Sequence, residues 1–494
     1  MTNDFEKNSA FEKRIKKHVI GKPHRFMAVA PLGFEETLVE ELRFIGVECT
    51  ADASGMDSTA NTSGENCAAG IKAADIKIAG DGKVEFTAKI TEAWKAVAYS
   101  RIANRILMEI GSFKAENFGQ LEKGAAAVPW ELFLGNCANL ELHVSCKHSR
   151  LYHSGAIEER VAPIIAKALA GSNSDTYPQN LYVNLQDDRC TLWQDLAGEE
   201  LYKRGHERFV AEAPLKETIA AAMIFEAAKI ASTNNPKSTE GATPHLKASD
   251  ASALITFIDP MAGSGTFSLE AAYIANGLIP GKCRDFALKH QPAFKEGTWN
   301  FILKGRHSET AAPFRHSEER SDEESTTNLL SIITSDISER PISIIKHNAE
   351  ASPLAEIAKT NPDAVTISPQ LKDFFSYTID DICAVRPSAN DTARDIVILL
   401  NPPYGKRLAF DAPKLYTKIG QKLDQLSRDA QSCGASLTVA ILAPKDDTRS
   451  GGHYTCTENL LKACPALDSR KNPAARLIET SHGGFSLNAI FAKI

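Results

Sequence analysis

The residues best placed to do chemistry are Asn401-Pro402-Pro403-Tyr404-Gly405, directly after the apolar run Ile396-Val397-Ile398-Leu399-Leu400. Consecutive aliphatics mark a strand buried on both faces, and in open α/β sheets ligands gather at the carboxyl ends of such strands. The two prolines fix the local backbone and hold the neighbouring groups rigid. The chemistry that suits this arrangement is methyl transfer to a planar, weakly nucleophilic NH2, whose lone pair is delocalised into a ring or carbonyl. The Asn401 side-chain oxygen and the Pro402 backbone carbonyl can accept its two hydrogens and turn the lone pair towards the methyl group. Tyr404 can stack on the planar substrate. Catalysis is then positioning plus electrostatics, with no metal and no covalent nucleophile. Asn401, Pro402, Pro403 and Tyr404 are therefore the candidate catalytic residues.

A second constellation lies upstream. Asp259-Pro260-Met261-Ala262-Gly263-Ser264-Gly265-Thr266 follows an apolar run at 254–258 and opens a helix bearing Leu269, Ala272, Tyr273 and Ala275. Gly263 and Gly265 permit a tight backbone and close approach of a ligand, which then sits on the helix N-terminus. The pattern is not G-x-G-x-x-G, and no Lys-Ser/Thr follows the glycines as a phosphate loop requires. Asp259, at the strand end, can meet the amino group of a zwitterionic ligand. Asp336, after a strand expected at 329–334, is placed for ribose hydroxyls. Asp373 and Phe374, after a strand expected at 364–367, are placed for an adenine amino group and ring. A strand-end Asp taken singly is most often a turn or cap residue; the order of these acids after the glycine turn gives them weight.

Such loops need a sheet. Apolar strands at 255–258, 329–334, 364–367, 396–400, 436–442 and 485–492 alternate with helical stretches, the pattern of a doubly wound α/β sheet. The first part of the chain reads as a smaller α/β region. It has strands at 26–30, 84–88, 140–145, 181–185 and 190–196. Helices are expected at 34–45, at 157–169 and over the long stretch 91–110, which would put Arg101 and Arg105 on one face. Residues 1–25 read as a charged, mobile leader, 202–216 as a basic linker and 218–230 as an Ala-rich helix. The polar stretches 231–252 and 305–328 read as inserts, the second a disordered low-complexity run.

At 494 residues the chain has room for two to four domains, and 43% hydrophobic with 24% charged residues is a globular balance. No apolar run is long enough to span a bilayer, and the charged N-terminus lacks the apolar segment of a secretory signal. The 10 cysteines form no CxxC pair, which fits free thiols in a reducing cytosol. A net charge of −6 leaves room for a nucleic-acid partner only through a local basic patch. Its candidates are Arg101, Arg105, Lys147, Arg150, Lys203, Arg204 and Arg208, of which the 203–208 cluster stands out.

Taken together, these motifs resemble the class I, Rossmann-like methyltransferases that act on exocyclic amines. More narrowly, the chain resembles the THUMP-domain guanine-N2 methyltransferases of bacterial 23S rRNA. The resemblance rests on the Ala30–Gly33 turn, Asp195-Leu196-Ala197-Gly198-Glu199-Glu200-Leu201-Tyr202-Lys203-Arg204-Gly205, Ala213-Pro214-Leu215-Lys216-Glu217-Thr218, the Asp259–Thr266 turn and Asn401-Pro402-Pro403-Tyr404-Gly405-Lys406-Arg407-Leu408. It implies a ferredoxin-like segment at 26–70, a THUMP RNA-binding domain at 71–198 and a methyltransferase domain at 199–494 with a seven-stranded, mostly parallel sheet. It implies S-adenosylmethionine as cofactor, held by Asp259–Thr266, Asp336, Asp373, Phe374 and Asn401. It further implies an RNA partner, rRNA or a pre-ribosomal particle, met through Lys147, Arg150, Lys203, Arg204 and Arg208. No metal and no membrane are expected, and the cytoplasm is the expected location. Methylation of tRNA, or of a protein glutamine amide, is the alternative. Departures from the family pattern stand out, the inserts at 231–252 and 305–328 among them. Ser338 replaces a second acid after Asp336, and the chain closes after one methyltransferase domain at His482-Gly483-Gly484-Phe485.

Overall fold

The computed structural model describes residues 2–50, 76–135, 138–170, 175–210, 214–232, 255–304, 330–362, 364–383, 395–404, 411–432, 434–446 and 455–494. The polar inserts expected at 231–252 and 305–328 lie, but for residues 231–232, outside them, as do Ala213 and residues 405–408. The chain forms two compact units. One holds residues 1–30, 38–204 and 283–305; the other holds 31–37, 205–282 and 306–494.

The first unit begins with α1 (Thr2–Ile15), a π-helical turn (Lys16–Ile20) and β1 (Pro23–Val29). This corrects the reading of 1–25 as a mobile leader. Its charges mask two apolar side chains one helical turn apart, Ile15 and Val19, and both are buried. After α2 (Glu35–Phe44), the unit continues through β2 (Ile76–Gly80), β3 (Lys83–Lys89), α3 (Ile90–Tyr99), β4 (Arg105–Lys114), α4 (Phe118–Ala126), β5 (Leu140–Lys147), α5 (Ser154–Ala168), β6 (Gln179–Gln186) and β7 (Arg189–Asp195). The strands form one sheet in the order β2-β3-β1-β4-β7-β6-β5. Because β1 lies between β3 and β4, the segments expected as separate at 26–70 and 71–198 share a single sheet, a second correction. Residues 283–305, assigned by sequence to the methyltransferase region, also belong to this unit.

The long helix expected at 91–110 is two elements. Helix α3 ends at Tyr99, and the buried Glu41 carboxylate fixes the following turn by accepting from the Ser100 hydroxyl (2.6 Å) and the Arg101 amide (2.7 Å). The continuous buried run Ile106-Leu107-Met108 is then the inside of a strand. Periodicity does not separate such a run from a buried helical face. Arg101 and Arg105 therefore share no helix face. Arg101 is 5% exposed, and Arg105 donates to the Asp195 carboxylate (2.5 Å) and the Gly198 carbonyl (2.6 Å).

The second unit opens with α6 (Glu217–Ser232), β8 (Ile255–Asp259) and α7 (Thr266–Ala275). After α8 (Glu296–Lys304), which belongs to the first unit, come β9 (Leu330–Asp336), α9 (Glu339–Glu350), α10 (Leu354–Thr360), β10 (Gln370–Leu371), α11 (Ile379–Cys383), β11 (Asp395–Leu400), α12 (Ala412–Ser432), β12 (Ser436–Pro444), α13 (Cys456–Ala463), β13 (Arg476–His482) and β14 (Phe485–Lys493). The sheet order is β10-β9-β8-β11-β12-β14-β13. Strands β10 through β12 pair in parallel, and β14 alone runs against the rest, so the expected seven-stranded, mostly parallel sheet is present. Two strands differ from the reading. Residues 364–367 are not a strand, the third position being filled by the two-residue β10, and β13 went unread. Strand β13 alternates buried and exposed residues at the sheet edge, so it lacks an apolar run.

Candidate active site

The sheet order places a topological switch between β8 and β11. The chain leaves β8 towards β9 and β10, then returns to β11 on the other side of β8. Loops after adjacent strands there diverge and open a crevice at the carboxyl ends. The glycine turn follows β8, and Asn401 follows β11. Register makes the level explicit: Ile258 pairs with Ile398 and Asp259 with Thr334. Extended along the strands, it sets Met261, Asp336 and Asn401 at one height across the sheet.

The turn is built around Asp259, which is 2% exposed. Its Oδ2 accepts from the Ser268 amide (3.2 Å) and the Ser268 hydroxyl (2.7 Å), so it ties β8 to the first turn of α7. Burial pushes its carboxyl up to about 7, the Ser268 bonds pull it down and the neighbouring Asp336 raises it further. Gly263 and Gly265 both take left-handed backbone, at φ 54° and 78°. Their surroundings differ. A Cβ on Gly265 would stand 2.9 Å from the Ile345 side chain, whereas one on Gly263 would meet nothing within 4 Å. Gly265 serves helix packing, and among the described residues Gly263 borders open space. Helix α7 is buried along its whole length, so its N-terminus is held rigidly at this rim.

Asp336 is half-buried at the end of β9. It accepts from the Gly263 amide (3.0 Å) and the Ser338 amide (3.0 Å), bridging the glycine turn to its own turn. The exposed Ile337 (72%) beside it, an apolar side chain at the crevice rim, was passed over in the sequence because a lone Ile carries no motif. Asp373 caps a short turn by accepting from the Phe375 amide (3.0 Å). The ring of Phe374 lies in the core with Ile258, Ile333 and Ile398, so the aromatic of this pair that keeps exposed surface is Phe375.

In the Asn-Pro-Pro-Tyr segment Pro402 is buried, Pro403 exposed, and Asn401 and Tyr404 half-buried. The Asn401 Oδ1 and Tyr404 hydroxyl atoms are both shut off from solvent and have no hydrogen-bond partner among the described residues. Leaving such groups unpaired costs on the order of 1–3 kcal/mol each. Burial pushes the Tyr404 phenol upward, so it stays protonated. Its ring meets Phe485 edge-on, with centroids 5.9 Å apart.

The cluster read at 203–208 is not an exposed basic patch. Arg204 is 6% exposed and donates to the carbonyls of Leu201 and Arg101, both at 2.9 Å. Arg208 pairs with Glu217 and donates to the Thr266 hydroxyl (2.5 Å), where it pins residues 206–210 to the start of α7. His206 bonds Tyr273 (2.8 Å), and Phe209 is stacked on His347 with its backbone paired to Asn348. Lys203 is half-exposed and pairs with Glu199, while Lys147 and Arg150 are exposed. Among the described residues no three His, Cys, Asp or Glu side chains are grouped to hold a metal, and no helix is long and apolar enough to cross a membrane.

Residues 242–445 match the family model described as UPF0020: RMKL-like, methyltransferase domain. Over those residues the chain is similar to an RMKL-like methyltransferase domain. S-adenosylmethionine is the methyl donor of this class of domain. The chain is 26% identical over 415 residues to YpsC of Bacillus subtilis (strain 168), which is named an RNA methyltransferase; the match covers 82% of this chain and 86% of that one. It is also 26% identical to the ribosomal RNA large subunit methyltransferase K/L of Syntrophotalea carbinolica, over 81% of this chain and 47% of that one. The chain thus spans about half the length of the K/L relatives it matches. Among solved structures, a Clostridium difficile 630 protein described as a possible methylase superposes with TM-score 0.62 at 19% identity, covering 96% of this chain and 98% of that one. SMU.472, solved with SAH, superposes with TM-score 0.61 at 21% identity over 95% and 98%. Both share the fold of the methyltransferase domain and its companion unit.

Proposed function

We propose that the protein methylates the exocyclic N2 amine of a guanine in RNA, with large-subunit ribosomal RNA as substrate and S-adenosylmethionine as methyl donor. The names of its relatives support RNA as the acceptor. One structural observation carries the chemistry: Asn401 Oδ1 and the Tyr404 hydroxyl, buried and unpartnered at the switch point. Native proteins rarely leave such atoms unsatisfied, and a polar substrate edge supplies the missing partners. Asn401 Oδ1 and the Pro402 carbonyl accept the two amine hydrogens, and the Tyr404 ring packs on the base. S-adenosylmethionine, when bound, supplies an electrophilic methyl group. The Gly263 cradle, Asp336 and the Asp259-anchored start of α7 hold it, with Ile337 and Phe375 as apolar flanks.

The test offers labelled S-adenosylmethionine with deproteinised rRNA, tRNA and a protein pool. Label is expected in rRNA as N2-methylguanine; label in tRNA or protein alone rejects the reading. Asn401→Ala should cut turnover on the order of 100-fold or more, as loss of a preorganised polar contact does, with cofactor affinity unchanged by calorimetry. Undiminished turnover excludes Asn401 from the chemistry.

A further inference from the structure

The hairpin of β13 and β14 projects at the same rim as Asn401. Strand β14 runs antiparallel to β12, with Leu487 opposite Pro444, so its first residues lie at the carboxyl end of the parallel strands. Gly483 and Gly484, at φ 58° and 81°, make a two-residue turn between His482 and Phe485, which are cross-strand partners. Side chains of such a pair share one face, a few ångströms apart. Phe485 meets the Tyr404 ring edge-on, so the pairing sets the His482 imidazole on the hairpin face that carries Phe485 towards Tyr404.

His482 has a third buried atom without a partner among the described residues, Nδ1. Its Nε2 lies 2.9 Å from the Pro214 carbonyl, which can only accept, so Nε2 carries the proton and Nδ1 a bare lone pair. Burial, aided by Lys216, keeps the ring below its ordinary range and hence neutral near pH 7. Pro214 thereby fixes the tautomer.

We propose that His482 Nδ1 is a specificity contact that accepts the ring N–H next to the reacting amine of a guanine. This rests on the reading of the acceptor as guanine. The N1–H and N2 amine form one edge with only donors, and Asn401 Oδ1, the Pro402 carbonyl and His482 Nδ1 form a set with only acceptors. Adenine places an acceptor, N1, beside its amine; against His482 Nδ1 two lone pairs would face each other. A site that bonds a substrate N–H rejects the analogue lacking it, because its own buried group is left unpaired.

The test uses the full chain, deproteinised large-subunit rRNA from cells lacking the gene, and nucleoside mass spectrometry of N2-methylguanine and N6-methyladenine. Two variants separate geometry from folding. His482→Gln can still donate to Pro214 but loses the acceptor at the Nδ1 position, and His482→Asn keeps an acceptor there. Wild type should form N2-methylguanine alone. His482→Gln should lose on the order of 10- to 100-fold in kcat/KM for RNA, with unchanged thermal midpoint and unchanged affinity for S-adenosylhomocysteine, and its ratio of methyladenine to methylguanine should rise. His482→Asn should recover part of the loss. Wild-type N2-methylguanine formation with an unaltered His482→Gln rate and product ratio overturns the assignment of His482 alone. Wild-type label on adenine, or none on RNA, overturns it together with the guanine reading.

Discussion

Asp259 shows how one buried carboxyl can be both structural and functional. The fold holds it up at about 7, chiefly through burial, against an ordinary value of 3.8. The folded chain therefore binds more protons than the unfolded chain between about pH 4 and 7, and stability falls as pH rises through that window. The loss is on the order of a few kcal/mol and levels off above pH 7. Chemical denaturation of the cofactor-free protein at pH 4.5, 6 and 8 should show the decline, and Asp259→Asn should flatten it. A cofactor ammonium beside this carboxyl reverses the penalty. Affinity for S-adenosylhomocysteine should then rise as pH increases towards 7 and change little beyond, and a flat profile in the wild type would remove Asp259 from the ammonium site. The sequence identified Asp259 as a strand-end acid, but its partner Ser268, in the first turn of α7, is visible only once the turn is folded.

At the level of elements, the glycine turn and the strap formed by residues 206–210 make separable predictions. Gly265→Ala adds a Cβ against Ile345 to left-handed strain, so it should lower stability by more than the 1–2 kcal/mol of the strain alone. Gly263→Ala carries the strain without the clash; its Cβ enters the open cradle, so cofactor affinity should fall more than the melting temperature does. Equal effects of the two changes on binding and melting would deny the cradle its role. Arg208 and Glu217 are a nearly buried pair, with side chains 12% and 13% exposed. Arg208→Met leaves Glu217 uncompensated and should cost about 3–5 kcal/mol, of which the double change to Arg208→Met/Glu217→Leu recovers part. An exposed RNA contact would show neither the loss nor the recovery. The strap was read as a basic linker because charge alone distinguishes no partner: Arg208 needed the Glu217 of the next helix, and Arg204 needed two carbonyls. By contrast β8, β11 and β12 were legible almost residue for residue, since strands buried on both faces leave largely apolar runs. The edge strands β10 and β13 were not, one being two residues long and the other alternating.

For the whole molecule, the difficulty is electrostatic. On the proposed function a chain of net charge −6 meets a polyanion, and phosphate contacts supply most non-specific affinity. The fold reduces the cations proposed for that task. Arg101, Arg105, Arg204 and Arg208 are committed to internal carbonyls, carboxylates or turns, which leaves Lys147, Arg150 and Lys203 as the exposed members of the original set. Even these are partly compensated, Arg150 by Glu116 (3.5 Å) and Asp188 (3.4 Å) and Lys203 by Glu199. Such surface pairs are worth at most about 1 kcal/mol and exchange readily for a phosphate. If RNA meets these side chains, Lys147→Ala, Arg150→Ala and Lys203→Ala should each weaken rRNA binding at low salt. Each should also reduce the slope of log affinity against log salt by about 0.7–1, without altering the maximal rate of methyl transfer at saturating RNA. Filter binding between 50 and 200 mM salt, a range over which several phosphate contacts change affinity by about 10³-fold or more, reads the slope directly. A triple variant that keeps the wild-type slope would place the phosphate contacts elsewhere on the chain and leave methyl transfer at Asn401 untouched, because the acceptor set at the switch point contains no cation.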